Sequence, residues 1–118
     1  MSKKVHCYLR TLRREWGLTQ EELASLLPKG DRNRVSRVER VLTPPNATEM
    51  IAFSLAFGLP VEAIFPKLAE DTDEIVMRSA YRLHQRLKGA TSPELVRKRE
   101  FLDQLRARAV SRINQAEA

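Results

Sequence analysis

Arg32, Asn33, Ser36 and Arg37 stand at i, i+1, i+4 and i+5 in the run Arg32–Arg40. A helix there would gather all four on one face and turn Val35 and Val38 to the other. Arg can set two parallel N–H donors against guanine O6 and N7, Asn can pair with adenine N6 and N7, and Ser can serve either base. The four are therefore candidates for reading base edges in a major groove. The competing reading is a solvated basic face, or arginines that reach only phosphate. Arg34 and Arg40 lie to the side of this face, where phosphate contacts are expected.

Such a face needs a helix start and a support. Asp31 is a good N-cap for it. Upstream, Thr19 with Glu22 three residues later forms a capping box, so a helix is expected to begin at Thr19. Leu23, Ala24 and Leu27 follow at helical spacing. Pro28-Lys29-Gly30 should stop that helix, with Gly30 expected to accept a positive φ. The stretch Thr19–Glu39 thus predicts two short helices joined by a tight turn, the second of them basic.

Around this stretch Leu9-Arg10-x-Leu12-Arg13, Gly17-Leu18-Thr19-Gln20-x-Glu22-Leu23-Ala24, Val35-Ser36-Arg37-Val38-Glu39, Pro45 and the closing Leu59 to Phe65 occur in order. The pattern resembles the Cro/CI-type (Xre) helix-turn-helix family across roughly residues 5 to 66, and five elements in order are more specific than one short string. The resemblance implies a five-helix DNA-binding domain over 1–66 whose base-reading positions match Arg32, Asn33, Ser36 and Arg37. It implies a phosphate grip where the second helix starts, at Thr19 and Gln20. It also implies a partly buried ion pair of Arg13 with Glu39, tying the first helix to the end of the third. Two departures touch the same surface. The turn Pro28-Lys29-Gly30-Asp31 is one residue longer than usual, and Arg40-Val41-Leu42-Thr43-Pro44-Pro45 replaces the family's Gly and basic residues after Glu39.

The rest of the chain gives an all-α plan. Helix 1 is expected from about Lys4 to Trp16, with Leu9, Leu12 and Trp16 inward and Gly17 as its stop. A second capping box, Asn46 with Glu49, opens helix 4, expected to be largely buried through Met50, Ile51, Ala52, Leu55 and Phe57. A short helix follows from Val61 to Phe65, and Trp16, Phe53, Phe57 and Phe65 are assigned to the core. Beyond Pro66 the cluster Glu70-Asp71-Thr72-Asp73-Glu74 precedes a helix over Ile75–Leu87 with the stripe Val76, Ala80, Leu83, Leu87. Its acidic start and its end at Arg82, Arg86 and Lys88 complement the helix dipole. Ser92-Pro93-Glu94 opens a last helix to about Gln115, striped by Leu95, Leu102, Leu105, Ala109 and Ile113. Residues 67–118 therefore read as a helical hairpin, whether packed on its own domain, a second copy or another protein.

Composition sets the frame. The 118 residues are 42% hydrophobic and 31% charged, which suits a compact domain with an appendage, and the net charge of +6 favours a polyanionic partner. The longest apolar run, Met50–Leu59, is broken by Ser54 and Gly58 and falls short of the ~20 residues of a membrane span. The Met1–Lys4 start has no apolar signal region. A single cysteine fits a reducing compartment, so a cytoplasmic protein with no membrane contact is expected. His6 and Cys7 are adjacent and poorly placed to close a metal site. A dyad of Cys7 with His84 would lack an orienting motif, and the glycines at 17, 30, 58 and 89 form no phosphate loop. No enzyme activity, metal or cofactor is expected. Two function classes follow. One is a sequence-specific regulator of double-stranded DNA, a repressor acting as a homodimer. The other is an antitoxin-like interaction protein whose residues 67–118 hold a partner protein. A nucleoid-type binder with little sequence preference is a third.

Overall fold

A computed structural model describes residues 4–89 and 92–117 of the chain. The outer ends of the two expected domains, at 1–3 and 118, lie outside those residues. Among the described residues the protein is all-α, as expected: α1 (Leu9–Glu15), α2 (Gln20–Ala24), α3 (Arg32–Glu39), α4 (Ala47–Phe57), α5 (Val61–Ile64), α6 (Pro66–Arg86) and α7 (Pro93–Glu117), with no strand. The chain divides into two compact units, Met1–Asp71 and Thr72–Ala118, and α6 is shared between them.

The first unit is built on one apolar cluster. Leu9 of α1, Leu23 and Ala24 of α2, Val35 and Val38 of α3, Phe53 of α4, Ile64 of α5, together with Leu27 and Phe65, are all buried in it. Phe53 and Phe65 meet with ring centroids 6.1 Å apart and tilted planes, a favourable aromatic geometry. Both capping boxes are present: Thr19 Oγ1 accepts from the Glu22 N–H, and Asn46 Oδ1 accepts from the Glu49 N–H, with each glutamate returning to the cap's own N–H.

Several expectations need correction. Helix α1 starts at Leu9 rather than near Lys4 because distant backbone groups claim the preceding segment. Tyr8 N–H donates to the Ile64 carbonyl at 2.8 Å, and the Val5 carbonyl accepts from Lys67 N–H at 3.1 Å. Trp16 is not core but 73% exposed. It is the C-cap of α1, so the i, i+7 spacing that would turn it inward ends one residue too early. Helix α4 is buried on one side only, through Glu49 and Phe53, whereas Ile51 and Leu55 are exposed. A helix apolar all round carries no sign in its sequence of which side packs. Gly30 does not take a positive φ. A Cβ there would sit 2.5 Å from the Ala24 carbonyl oxygen, so glycine is required for the close approach of the turn to the end of α2.

Helix α6 begins at Pro66, within the first unit, much earlier than Ile75, because proline's fixed φ suits the first helical position. Lys67 then bonds Asp71 at 2.8 Å along the first turns. Helix α7 opens with the Leu95 N–H donating to Ser92 Oγ at 3.3 Å. Arg112, near the end of α7, reaches Asp73 on α6 at 2.8 Å. In the second unit Ala80, Leu102 and Ala109 are buried, while Val76, Phe101, Val110 and Ile113 are exposed.

Candidate nucleic-acid interface

Helix α3 is held from behind. Val35 and Val38 are buried in the core, and Asp31, in extended backbone, caps the helix by accepting the Asn33 N–H at 2.9 Å. The opposite face carries Arg32, Asn33 and Arg37, all exposed, with Ser36 partly covered. Among the described residues neither Arg32 nor Arg37 makes an ion pair, so both guanidinium groups keep their donors directed to solvent. The structure thus places the four side chains that the sequence assigned to base reading on one helix.

A buried cluster ties the two ends of this region together. Arg13 Nε donates to Glu39 Oε2 at 2.7 Å and Nη2 donates to Oε1 at 3.1 Å, a two-point pair with side chains 10% and 1% exposed. Arg13 Nη1 donates to the Leu18 carbonyl at 2.8 Å. The hydrogen bonds that Arg13 donates to Glu39 push the guanidinium still higher in basicity, so Arg13 stays charged. The pair joins α1 to the last turn of α3 across the segment leading into α2. Gln20 belongs to the same cluster, because its Nε2 donates to Glu39 Oε1 at 3.1 Å. One amide proton and the backbone N–H at the helix start are what Gln20 keeps for an anion. Thr19 is exposed beside it, with its hydroxyl oxygen accepting the Glu22 N–H. No sequence signal marks the Gln20–Glu39 bond, which joins residues on different helices.

Arg34 corrects the phosphate assignment. Its Nε and Nη2 donate to the two carboxylate oxygens of Glu49, each at 2.7 Å, its Nη1 to Thr43 Oγ1 at 2.7 Å, and its Nη2 also to the Pro44 carbonyl at 2.8 Å. The guanidinium is engaged at all three nitrogens and fastens α3 to the 43–44 loop and the start of α4. Glu49 explains why. It caps α4 while buried, and a buried carboxylate needs a counter-charge. The Arg34 guanidinium holds its carboxyl below the usual range, against the opposing effect of burial and with further help from the Asn46 N–H. Glu49 follows Thr48 in the polar first turn of α4, where the capping box accounted for it, so no local signal marked Arg34 as its partner.

The end of α3 is unusual. Arg40 is the exposed C-cap, with its N–H donating to the Ser36 carbonyl. Val41 N–H then donates to the Val38 carbonyl and Leu42 N–H to the Arg37 carbonyl, which is the Schellman arrangement. The same arrangement closes α1, where Gly17 takes φ 69°, but at α3 the left-handed residue is Val41, with φ 59°. A β-branched residue there is strained. The position follows Arg40, close to where the resembled family carries its glycine.

Elsewhere the chemistry is sparse. Cys7 is partly buried, accepts the Leu9 N–H at 3.4 Å, and has its thiol pushed up by burial, which keeps it protonated and weakly nucleophilic. Among the described residues no group of three or more His, Cys, Asp or Glu side chains could hold a metal ion, and no helix is long and apolar enough to cross a membrane. No protein-family model, curated protein or solved structure matches the chain.

Proposed function

We propose that this protein is a sequence-specific regulator of double-stranded DNA, a repressor acting as a homodimer. In this reading residues 1–66 form a Cro/CI-type helix-turn-helix domain and residues 67–118 a helical hairpin. The observation that carries the reading is the outer face of α3. Arg32, Asn33, Ser36 and Arg37 are the side-chain types that pair with base edges, and they project from a helix fixed by two buried valines and by ion pairs at Glu39 and Glu49. Rigid support of this kind lowers the entropy cost of docking in a groove. Arg40, Thr19 and the start of α2 flank the face as phosphate contacts.

Dimerisation is supported by the second unit. Val76, Phe101, Val110 and Ile113 are exposed there, and burying apolar surface stabilises by ~25 cal/mol per Å². Two copies would set two α3 helices in successive major grooves of a palindromic site. Selection of bound duplexes from a random pool tests the function, with enrichment of two mirrored half-sites about one helical turn apart as the expected result. A pool that shows no enrichment refutes sequence-specific reading. Sedimentation of the full chain tests the dimer. A monomer with the same exposed residues would favour the antitoxin-like reading, in which they meet a different protein.

A further inference from the structure

Positive charge on this chain is not confined to the base-reading face. Residues 72–118 hold ten Lys and Arg against six Asp and Glu, leaving +4 of the total +6, and none of these cations is on α3. Within α6 the asymmetry is sharper. Four carboxylates, Glu70, Asp71, Asp73 and Glu74, crowd its first half, whereas Ile75–Gly89 contains no acidic residue at all.

Arg78, Arg82 and Arg86 repeat at i, i+4 and i+8, so they form one row with a step of about 6 Å along the helix. Tyr81 and Gln85 lie beside that row, and all five side chains are exposed, Tyr81 by 65%. The row is turned away from the stripe containing the buried Ala80. Among the described residues none of the three arginines makes an ion pair, and the pair described between α6 and α7, Arg112 with Asp73, is at the acidic end. The helix dipole accounts for cations near the end of the helix, Arg82 and Arg86, but its effect fades towards the interior and leaves Arg78, eight residues before the end, unexplained. Like charges at i, i+4 weaken a helix. A row that costs the helix stability and meets no carboxylate suits an external polyanion.

We propose that the Arg78–Arg82–Arg86 row of α6 is a second, sequence-blind contact for duplex DNA, gripping phosphates of the backbone while Tyr81 and Gln85 offer neighbouring hydrogen bonds. Duplex DNA is selected among polyanions by the reading of α3, on which the inference rests. Each phosphate neutralised releases counterions, so the row contributes to the salt dependence of binding and not to the choice of sequence.

The test uses the full chain, a random-sequence duplex and a salt titration. For Arg78→Gln/Arg82→Gln/Arg86→Gln the slope of log affinity against log salt should become shallower by about 2 to 3, since each phosphate contact contributes about 0.9. Affinity at low salt should fall about tenfold or more, with circular dichroism unchanged. The corresponding triple Lys variant keeps the charges and should keep both slope and affinity. An unchanged slope in the Gln variant overturns the proposal, as does a Lys variant as weak as the Gln variant, or a loss confined to an RNA hairpin offered in parallel. The two readings fail separately. If random-pool selection enriches nothing while the Gln variant still flattens the slope, the base-reading role of α3 is lost and the α6 contact stands.

Discussion

Arg13 and Arg34 on one side, and Arg32 and Arg37 on the other, are the same residue type in the same unit, yet the structure treats them oppositely. The first two end on buried carboxylates, Glu39 and Glu49, at 2.7 Å. The other two end in solvent. An arginine is therefore part of the scaffold or left facing solvent according to what a distant segment brings to it. Arg34 and Arg32 are two residues apart and fall on different sides of that division.

The largest expected effect lies with the most buried pair. Glu39→Ala should cost ~4 kcal/mol in a urea unfolding experiment, because it strands the Arg13 guanidinium without its counter-charge and also removes the acceptor of Gln20. Arg13→Ala should be similar, and the double variant should lose clearly less than the sum. Additive losses would show that the pair does not act as a unit.

Arg34→Ala comes next, at ~3 kcal/mol of stability, with the preferred DNA sequence unchanged. A variant that stays fully stable but binds DNA weakly would restore Arg34 to the phosphate contacts. The same pair predicts a pH response. Because the folded state lowers the Glu49 pKa, its contribution is complete above the unfolded value of about 4.3 and is lost as pH falls through the folded one. Glu49→Gln should remove that part of the acid destabilisation. An unaltered acid profile in the Gln variant would mean that other carboxylates govern it.

For the solvent-facing pair the effect moves from folding to binding. Arg32→Ala and Arg37→Ala should each weaken operator binding by ~2 kcal/mol and relax preference at one base position, while changing stability by no more than ~0.5 kcal/mol. Equal losses on operator and random DNA would reassign that residue to a phosphate. The smallest change is a gain. Val41→Gly relieves the left-handed strain at the end of α3 and should raise stability by ~1 kcal/mol, read as a shift in the unfolding midpoint. A loss would show that the Val41 side chain contributes packing worth more than its strain.

How far each part was legible follows the range of the interactions. Thr19 with Glu22 and Asn46 with Glu49 announce helix starts because both partners are three residues apart, and both boxes are present. Val35 and Val38 declare the inner face of α3 by spacing alone, which is also why its outer face could be proposed from the sequence. Trp16 and Leu55 were illegible in the opposite way: helical spacing says which residues share a side, but not whether the helix continues or which side finds a neighbour.

The sequence by itself determined the all-α character, the caps and the grouping of Arg32, Asn33, Ser36 and Arg37, since all of these depend on local backbone geometry. Only the tertiary structure decided that Gly30 is there for a close approach to Ala24, and that α1 must wait until Leu9 because Ile64 claims the Tyr8 N–H. It alone decided the fate of Arg34 too, whereas the pairing of Arg13 with Glu39 was an expectation of the family resemblance. Glu39 lies 26 residues from Arg13 and Glu49 lies 15 residues from Arg34, and a charge meets its partner across such separations only once packing has brought the helices together.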